Sequence, residues 1–263
     1  MLTRFPTTLR SILLATLLLL VGWMQTTPVQ GQPVTAASVE AEAATMYYVT
    51  EQLATVYRSP EADNPYFRLR LQDPVWVEEE NGRFYRVRSE GGAAGYIPKE
   101  SVSNVWIRVS KSERKVYLYR GTELYRTYAA DLGYNPFADK ERRGSEAMPD
   151  HWRTPEGVFY VARKNPNSKY YRAFVLNYPT ARDARRGLRD GLISQREHDL
   201  IKEADRNVEM PPMNTLLGGW IEIHGDGTGG ESDWTQGCVA VDNRHMDEMW
   251  PLVSRGTPVI IEP

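Results

Sequence analysis

The chain carries one cysteine, Cys238, and four histidines, at 151, 198, 224 and 245. A thiol attacks carbonyls as its thiolate, and an unperturbed cysteine has little thiolate at neutral pH. It needs a neighbouring base or cation. His198 falls in a highly charged stretch and His151 in a long polar one, so both read as solvated. His224 ends an alternating run, Trp220-Ile221-Glu222-Ile223-His224, and glycine-rich residues follow at 225–230. Strand ends followed by such loops commonly present catalytic groups. The spacing lets the loop fold back and set His224 beside Cys238. Gly237 directly precedes the thiol and permits backbone angles closed to other residues. The N–H groups around Gly237 and Cys238 are candidates for an oxyanion hole. Nucleophilic attack of a thiol on a carbonyl is the expectation.

Other chemistries fit less well. A zinc site wants about four N/S ligands at recognisable spacing. Only His224, Cys238 and His245 offer themselves, and there is no second cysteine. There is no Gly-x-Ser-x-Gly elbow and no phosphate-binding Gly-x-x-x-x-Gly-Lys-Ser/Thr loop. No metal or organic cofactor is expected.

A lone cysteine is most informative in an exported protein, where it is a reactive thiol or an intermolecular partner. The N-terminus predicts export. Arg4 and Arg10 precede an apolar run at 12–21 broken only by Thr16, and Val29-Gln30-Gly31 suits a cleavage site. The run is shorter than the ~20 residues of a membrane span. Residues 1–31 are therefore read as a secretory signal, and the periplasm or cell wall as the destination.

The elements that must position this chemistry follow from patterning. The chain has 263 residues, 41% hydrophobic and 25% charged, with a net charge of −2. That excludes collagen, coiled coil and multi-span membrane proteins, and lacks the basic footprint of a nucleic-acid binder. Residues 32–45 read as a linker. Residues 46–104 hold several short strand-like runs, two of them flanking Asn81-Gly82, a hairpin signal. This predicts a small barrel. Residues 105–263 predict strands at 106–109, 115–119, 123–132, 157–162, 173–177 and 259–261, with a polar loop at 133–153. Two helices are expected within 180–207, separated by Gly191, with a Ser194/Glu197 capping box. Arg182, Arg185, Arg186 and Arg189 share one helical face. Met246, Met249, Trp250 and Val253 form the apolar stripe of another helix. The fold class is mainly β with local helices.

Two resemblances sharpen this. Val56-Tyr57-Arg58-Ser59-Pro60, the 81–87 strand and Gly95-Tyr96-Ile97-Pro98 resemble a bacterial SH3 domain, which implies binding to wall peptides. His224-Gly225, then Trp234-Thr235-Gln236-Gly237-Cys238-Val239, resembles the L,D-transpeptidase (YkuD-type) catalytic domain. Thr154-Pro155-Glu156-Gly157 and the hairpin ending Asp131-Leu132-Gly133 agree with it. The resemblance implies a β-rich domain acting on peptidoglycan stem peptides. Cys238 would be the nucleophile, His224 the base and the Gly225 carbonyl the orienter of the imidazole, with Thr235 and Gly237 shaping the loop. Thr235 and Gln236 are candidate substrate contacts. So are Arg185 and Arg186, since arginine suits carboxylates. Two positions depart from the pattern. Gln236 replaces a histidine, and Ala240 replaces an arginine or asparagine, so a substrate carboxylate contact is missing or moved. The stretch at 177–179, the charged insert and Asp233-Trp234-Thr235 resemble a branch that includes hydrolases. Transferase, hydrolase of crosslinks or wall-protein linkages, and non-catalytic wall scaffold all remain open. A papain-like endopeptidase is disfavoured, because its cysteine precedes its histidine.

Overall fold

The computed structural model describes residues 42, 43 and 45–263. The expected signal at 1–31 and residues 32–41 and 44 of the expected linker lie outside the described residues. The chain forms two compact units. One runs to Val49 and over Leu53–Val102, and the other takes Thr50–Gln52 and Ser103–Pro263.

The first unit is built from short strands. Met46–Val49 (β1), Leu53–Tyr57 (β2), Pro65–Arg70 (β3), Pro74–Asn81 (β4), Phe84–Ser89 (β5), Ala94–Pro98 (β6) and Val102–Ser103 (β7) pair in the order β3-β2-β6-β5-β4-β1-β7. Alternation places Val49, Ala54, Val56, Val75, Val87, Ile97 and Val102 in one small core. The Asn81-Gly82 signal marks a hairpin shifted by one residue. Asn81 pairs with Phe84, so the loop is Gly82-Arg83. Gly82 has φ 55°, while Arg83 is not left-handed. Positive φ at the first loop position alone is what a II′ turn requires, and glycine supplies it.

The second unit has ten strands and three helices. The strands are Val105–Ser110 (β8), Lys115–Arg120 (β9), Glu123–Ala129 (β10), Leu132–Gly133 (β11), Gly157–Ser168 (β12), Tyr171–Leu176 (β13), Glu222–His224 (β14), Asp233–Thr235 (β15), Val239–Ala240 (β16) and Pro258–Glu262 (β17). Eight of them form one mixed sheet in the order β10-β9-β8-β17-β12-β13-β14-β16, and β11 pairs with β15. Val105, Ile107 and Val109 alternate with Val116 and Leu118 across the antiparallel β8–β9 pair, all facing the main core. The strand expected over 123–132 breaks after Ala129. Asp131 leaves the hairpin there and bridges Ala240 instead. The strand expected at 157–162 continues to Ser168, because β13 pairs along its extension.

The helices are Ala181–Arg189 (α1), Gln195–Asn207 (α2) and Asn243–Met249 (α3). The Ser194/Glu197 capping box forms as expected at α2. A second, unanticipated box forms at α1, where Thr180 caps the Asp183 N–H and the Asp183 carboxylate accepts from the Thr180 N–H. α1 and α2 share a satellite core with Leu217. A Cβ at Gly187 would lie 2.7 Å from a Leu217 methyl, so the glycine sets how closely α1 packs. Among the described residues no helix is long and apolar enough to cross a membrane.

Candidate active site

The site is built on a short parallel strand pair. Ile223 is in register with Val239 and His224 with Ala240. Cys238, one step before β16, therefore stands near Glu222 and His224. Two parallel strands need a connection that crosses back, and residues 225–237 provide it. Arg114 clamps β15 through Asp233, at 3.1 and 2.6 Å. Asp131 pins the rest. Its buried carboxylate accepts from Thr228 N (2.7 Å), Thr228 Oγ1 (2.9 Å), Ser232 N (2.8 Å) and Trp234 Nε1 (2.8 Å). Burial alone would raise its pKa, but donors from Thr228, Trp234 and Ser232 outweigh burial and hold it below the usual value.

His224 is buried and held from three sides. Its Nδ1 lies 2.6 Å from the Gly225 carbonyl oxygen. A carbonyl can only accept, so Nδ1 carries the proton and Nε2 is the free base. Tyr170 stacks on the ring with centroids 4.5 Å apart, and Trp234 meets it edge-on at 6.3 Å. Burial pushes the imidazole pKa down, against the Gly225 bond that favours the charged form. The ring is therefore neutral at neutral pH, as a general base must be.

The Cys238 thiol donates to the carbonyl of Trp220 at 3.4 Å. The residue is half-buried in the wall of the cavity. Desolvation is the main cause that pushes its pKa up to about 12, helped by the nearby Glu222 carboxylate and opposed by the Glu222 backbone N–H and then by Lys140 and Lys169. The resting pair is a neutral thiol and a neutral imidazole. Among the hydrogen bonds of the described residues none joins the two directly. Both line one cavity of about 660 Å³, with Lys140, Trp152, Lys169, Tyr170, Trp220 and Glu222 among its other walls.

The neighbouring loop is fixed by Thr235. Its Oγ1 donates to the Cys238 carbonyl at 2.7 Å and accepts the Gly237 N–H at 3.2 Å. The Gly237 N–H is thus engaged. The Cys238 N–H has no partner among the described residues and is the better oxyanion donor. Gly237 adopts φ 128°, and a Cβ there would lie 2.6 Å from the Arg153 carbonyl oxygen. Only glycine fits both conditions. The close approach is made by the chain's own backbone.

The sequence-derived residues divide. His224, Thr235, Gln236 and Cys238 line the cavity, and Gly225 and Gly237 act on it through their backbone. Arg185 and Arg186 do not line it. Arg185 is exposed on α1. The Arg186 guanidinium is engaged within the fold, with Asp183 at 3.1 Å, Asp139 at 3.3 Å and the Lys140 carbonyl at 2.6 Å. Its two terminal nitrogens are turned to these internal acceptors, away from the cavity that holds Cys238. Lys140, Tyr170, Trp220 and Glu222 were not anticipated. Asp131 and Trp234 sat in quoted motifs, but nothing in those motifs showed that one holds the other. Among the described residues no three His, Cys, Asp or Glu side chains are grouped to hold a metal ion.

The family model described as the YkuD L,D-transpeptidase catalytic domain matches residues 104–261. No curated protein matches the chain. Solved structures that match the chain include an L,D-transpeptidase from Xylanimonas cellulosilytica, at 15% identity and TM-score 0.38 over 61% of each chain. Bd1075 of Bdellovibrio bacteriovorus is 21% identical, with TM-score 0.40 over 62% of this chain and 49% of its own. An L,D-transpeptidase from Mycobacterium smegmatis is 17% identical, with TM-score 0.34 over 88% of both chains. The chain thus spans 61% and 49% of the length of the first two.

Proposed function

The chain belongs to the YkuD family of L,D-transpeptidase catalytic domains, and from that premise we propose that it is an exported acyl-transfer enzyme of peptidoglycan stem peptides. Cys238 is the nucleophile and His224 its base. The observation that carries the reading is the Nδ1–Gly225 bond, which fixes the tautomer and leaves Nε2 as an acceptor in the cavity that Cys238 shares.

The reaction follows from the neutral pair. The thiol turns from the Trp220 carbonyl and gives its proton to His224 Nε2 as Sγ attacks the carbonyl at the L-centre of an L–D bond. The Cys238 N–H donates to the oxyanion. Collapse breaks the C–N bond, and the imidazolium returns its proton to the departing amine. A thioester remains on Cys238. An amine or water, deprotonated by His224, then takes the acyl group and restores the thiol. Because the thiol is high and the imidazole low in pKa, proton transfer accompanies attack.

On this reading residues 46–104 form an SH3-like module that holds wall peptide, and residues 105–263 form the catalytic domain. The test is digestion of isolated sacculi with mature protein and with Cys238→Ala, followed by mass spectrometry of the muropeptides. New 3–3 crosslinks or exchanged terminal residues, absent with the variant, are expected of a transferase. Lost crosslinks or released wall-linked protein with water incorporated would make the acceptor water. Identical products from both proteins would overturn the proposal.

A further inference from the structure

Lys140 is 3% exposed, yet it is one of the walls of the cavity that holds Cys238 and His224. Burying an ammonium is costly unless it is paired. Its Nζ donates to one neutral acceptor, the His151 carbonyl, at 3.1 Å. Among the described residues no carboxylate pairs with it. An ammonium has three donors, so the protein leaves part of this group unanswered at the reaction centre.

Considerable structure is devoted to holding it there. Arg186 of α1 donates to the Lys140 backbone carbonyl at 2.6 Å. Arg143 ties the same loop to the 213–215 segment through the carbonyls of Thr215 (3.1 Å) and Met213 (3.2 Å). Gly218, at φ 104°, gives the lysine stem its room, since a Cβ there would lie 3.0 Å from Lys140 Cε. The unoccupied donors and the buried position ask for an anion supplied from outside the chain. Burial pulls the lysine pKa down to about 8, with Arg143 and Arg153 adding to it and the Cys238 site opposing it. It still carries charge at neutral pH, and an anion beside it would strengthen that charge.

We propose that Lys140 is a specificity residue that binds a carboxylate of the donor stem peptide flanking the scissile carbonyl. This rests on the acyl-transfer reading, whose substrate bears such carboxylates. One belongs to the D-residue that departs, and another to the side chain of a diaminopimelate at the third position. It would also take over the contact that an arginine or asparagine would make at the position of Ala240. A free carboxylate beside the bond would then be a condition of tight binding, and capping it would weaken the complex.

The test is calorimetric binding to the Cys238→Ala protein, which cannot turn over. Three probes are compared: a synthetic stem tetrapeptide ending in D-alanine as the free acid, its C-terminal amide, and the free acid with lysine replacing diaminopimelate. A charged hydrogen bond predicts that one capped or replaced probe binds roughly 10-fold or more weakly than the parent. Which probe weakens identifies the carboxylate. Adding Lys140→Met should shrink that difference to within about 2-fold while leaving the weaker probe's affinity unchanged. Lys140→Gln, which keeps a donor without charge, should do the same and guards against a packing defect in the Met variant. Equal affinity for all three probes, no binding of any, or a preference that survives both substitutions would overturn the proposal. Failure on sacculi with the binding preference intact would count against the acyl-transfer reading, not against the carboxylate site.

Discussion

Two buried lysines in the second unit meet opposite fates. Lys111, 1% exposed, donates to the Glu156 carboxylate at 2.6 Å and to the Ala138 carbonyl at 2.8 Å. Lys140, two residues beyond that carbonyl and 3% exposed, has a single carbonyl and an open cavity. The loop at 133–153 thus answers one cation and presents the other. Around Lys111 the charges close on themselves, and Asp139, which accepts the Glu156 N–H, also pairs with Arg182 and Arg186. Around Lys140, Cys238 and His224 they do not close. A buried charge with its partner is structure, whereas one without a partner inside a cavity points to a ligand.

Substitutions on the two sides should separate stability from turnover. The largest effect belongs to Cys238→Ala. It should cost at least about a thousandfold in turnover on sacculi, because nothing else on the chain replaces the nucleophile. Its thermal midpoint should be unchanged or higher. Lys111→Met should do the reverse. It strands Glu156 and should cost about 3 kcal/mol in denaturant unfolding, while turnover per folded molecule holds. A large kinetic loss there would break the distinction.

Asp131→Asn should fall between the two. Its NH2 replaces one oxygen and faces two of the four donors, costing about 2 kcal/mol, and it loosens the loop that carries Trp234, so turnover should drop as well. The depressed Asp131 pKa adds a pH signature. A carboxyl held below its unfolded value contributes stability above about pH 4 that is lost as pH falls through the folded pKa. The variant should therefore lose less on acidification than the parent, read as unfolding midpoints between neutral pH and pH 3. Smaller still is the His224 effect on the rate profile. With its pKa pushed down, the acid limb of kcat/KM should lie below the ordinary histidine value of about 6.5. A limb at or above that value would contradict a buried neutral base. Thr180→Ala, which removes the α1 capping box, should cost about 1 kcal/mol and little turnover.

What the sequence revealed depended on how local each signal is. Cys238, His224, Gly225 and Gly237 lie within one short stretch, so their spacing alone suggested a shared site. The alternation of β8 and β9 and the Ser194/Glu197 box are likewise local patterns that the fold preserved. Lys140 and Tyr170 come from loops with no periodicity and no motif, and only the closed tertiary structure brings them to the cavity. The arginine face of α1 is the instructive intermediate case. Helical spacing correctly put Arg182 and Arg186 together, and both reach Asp139. Spacing tells which residues share a face but not what that face meets. Asp131 shows the same limit, since a strand pattern through 132 gave no hint of a carboxylate turned inward to hold a distant loop.

The most direct measurement of the central claim is the intact mass of the protein, quenched in acid shortly after mixing with a stem tetrapeptide. The account predicts an added mass equal to the peptide less the free D-alanine it releases, mapped to Cys238, absent in Cys238→Ala and strongly slowed in His224→Ala. An adduct on another residue, or one that forms as fast without His224, would contradict it.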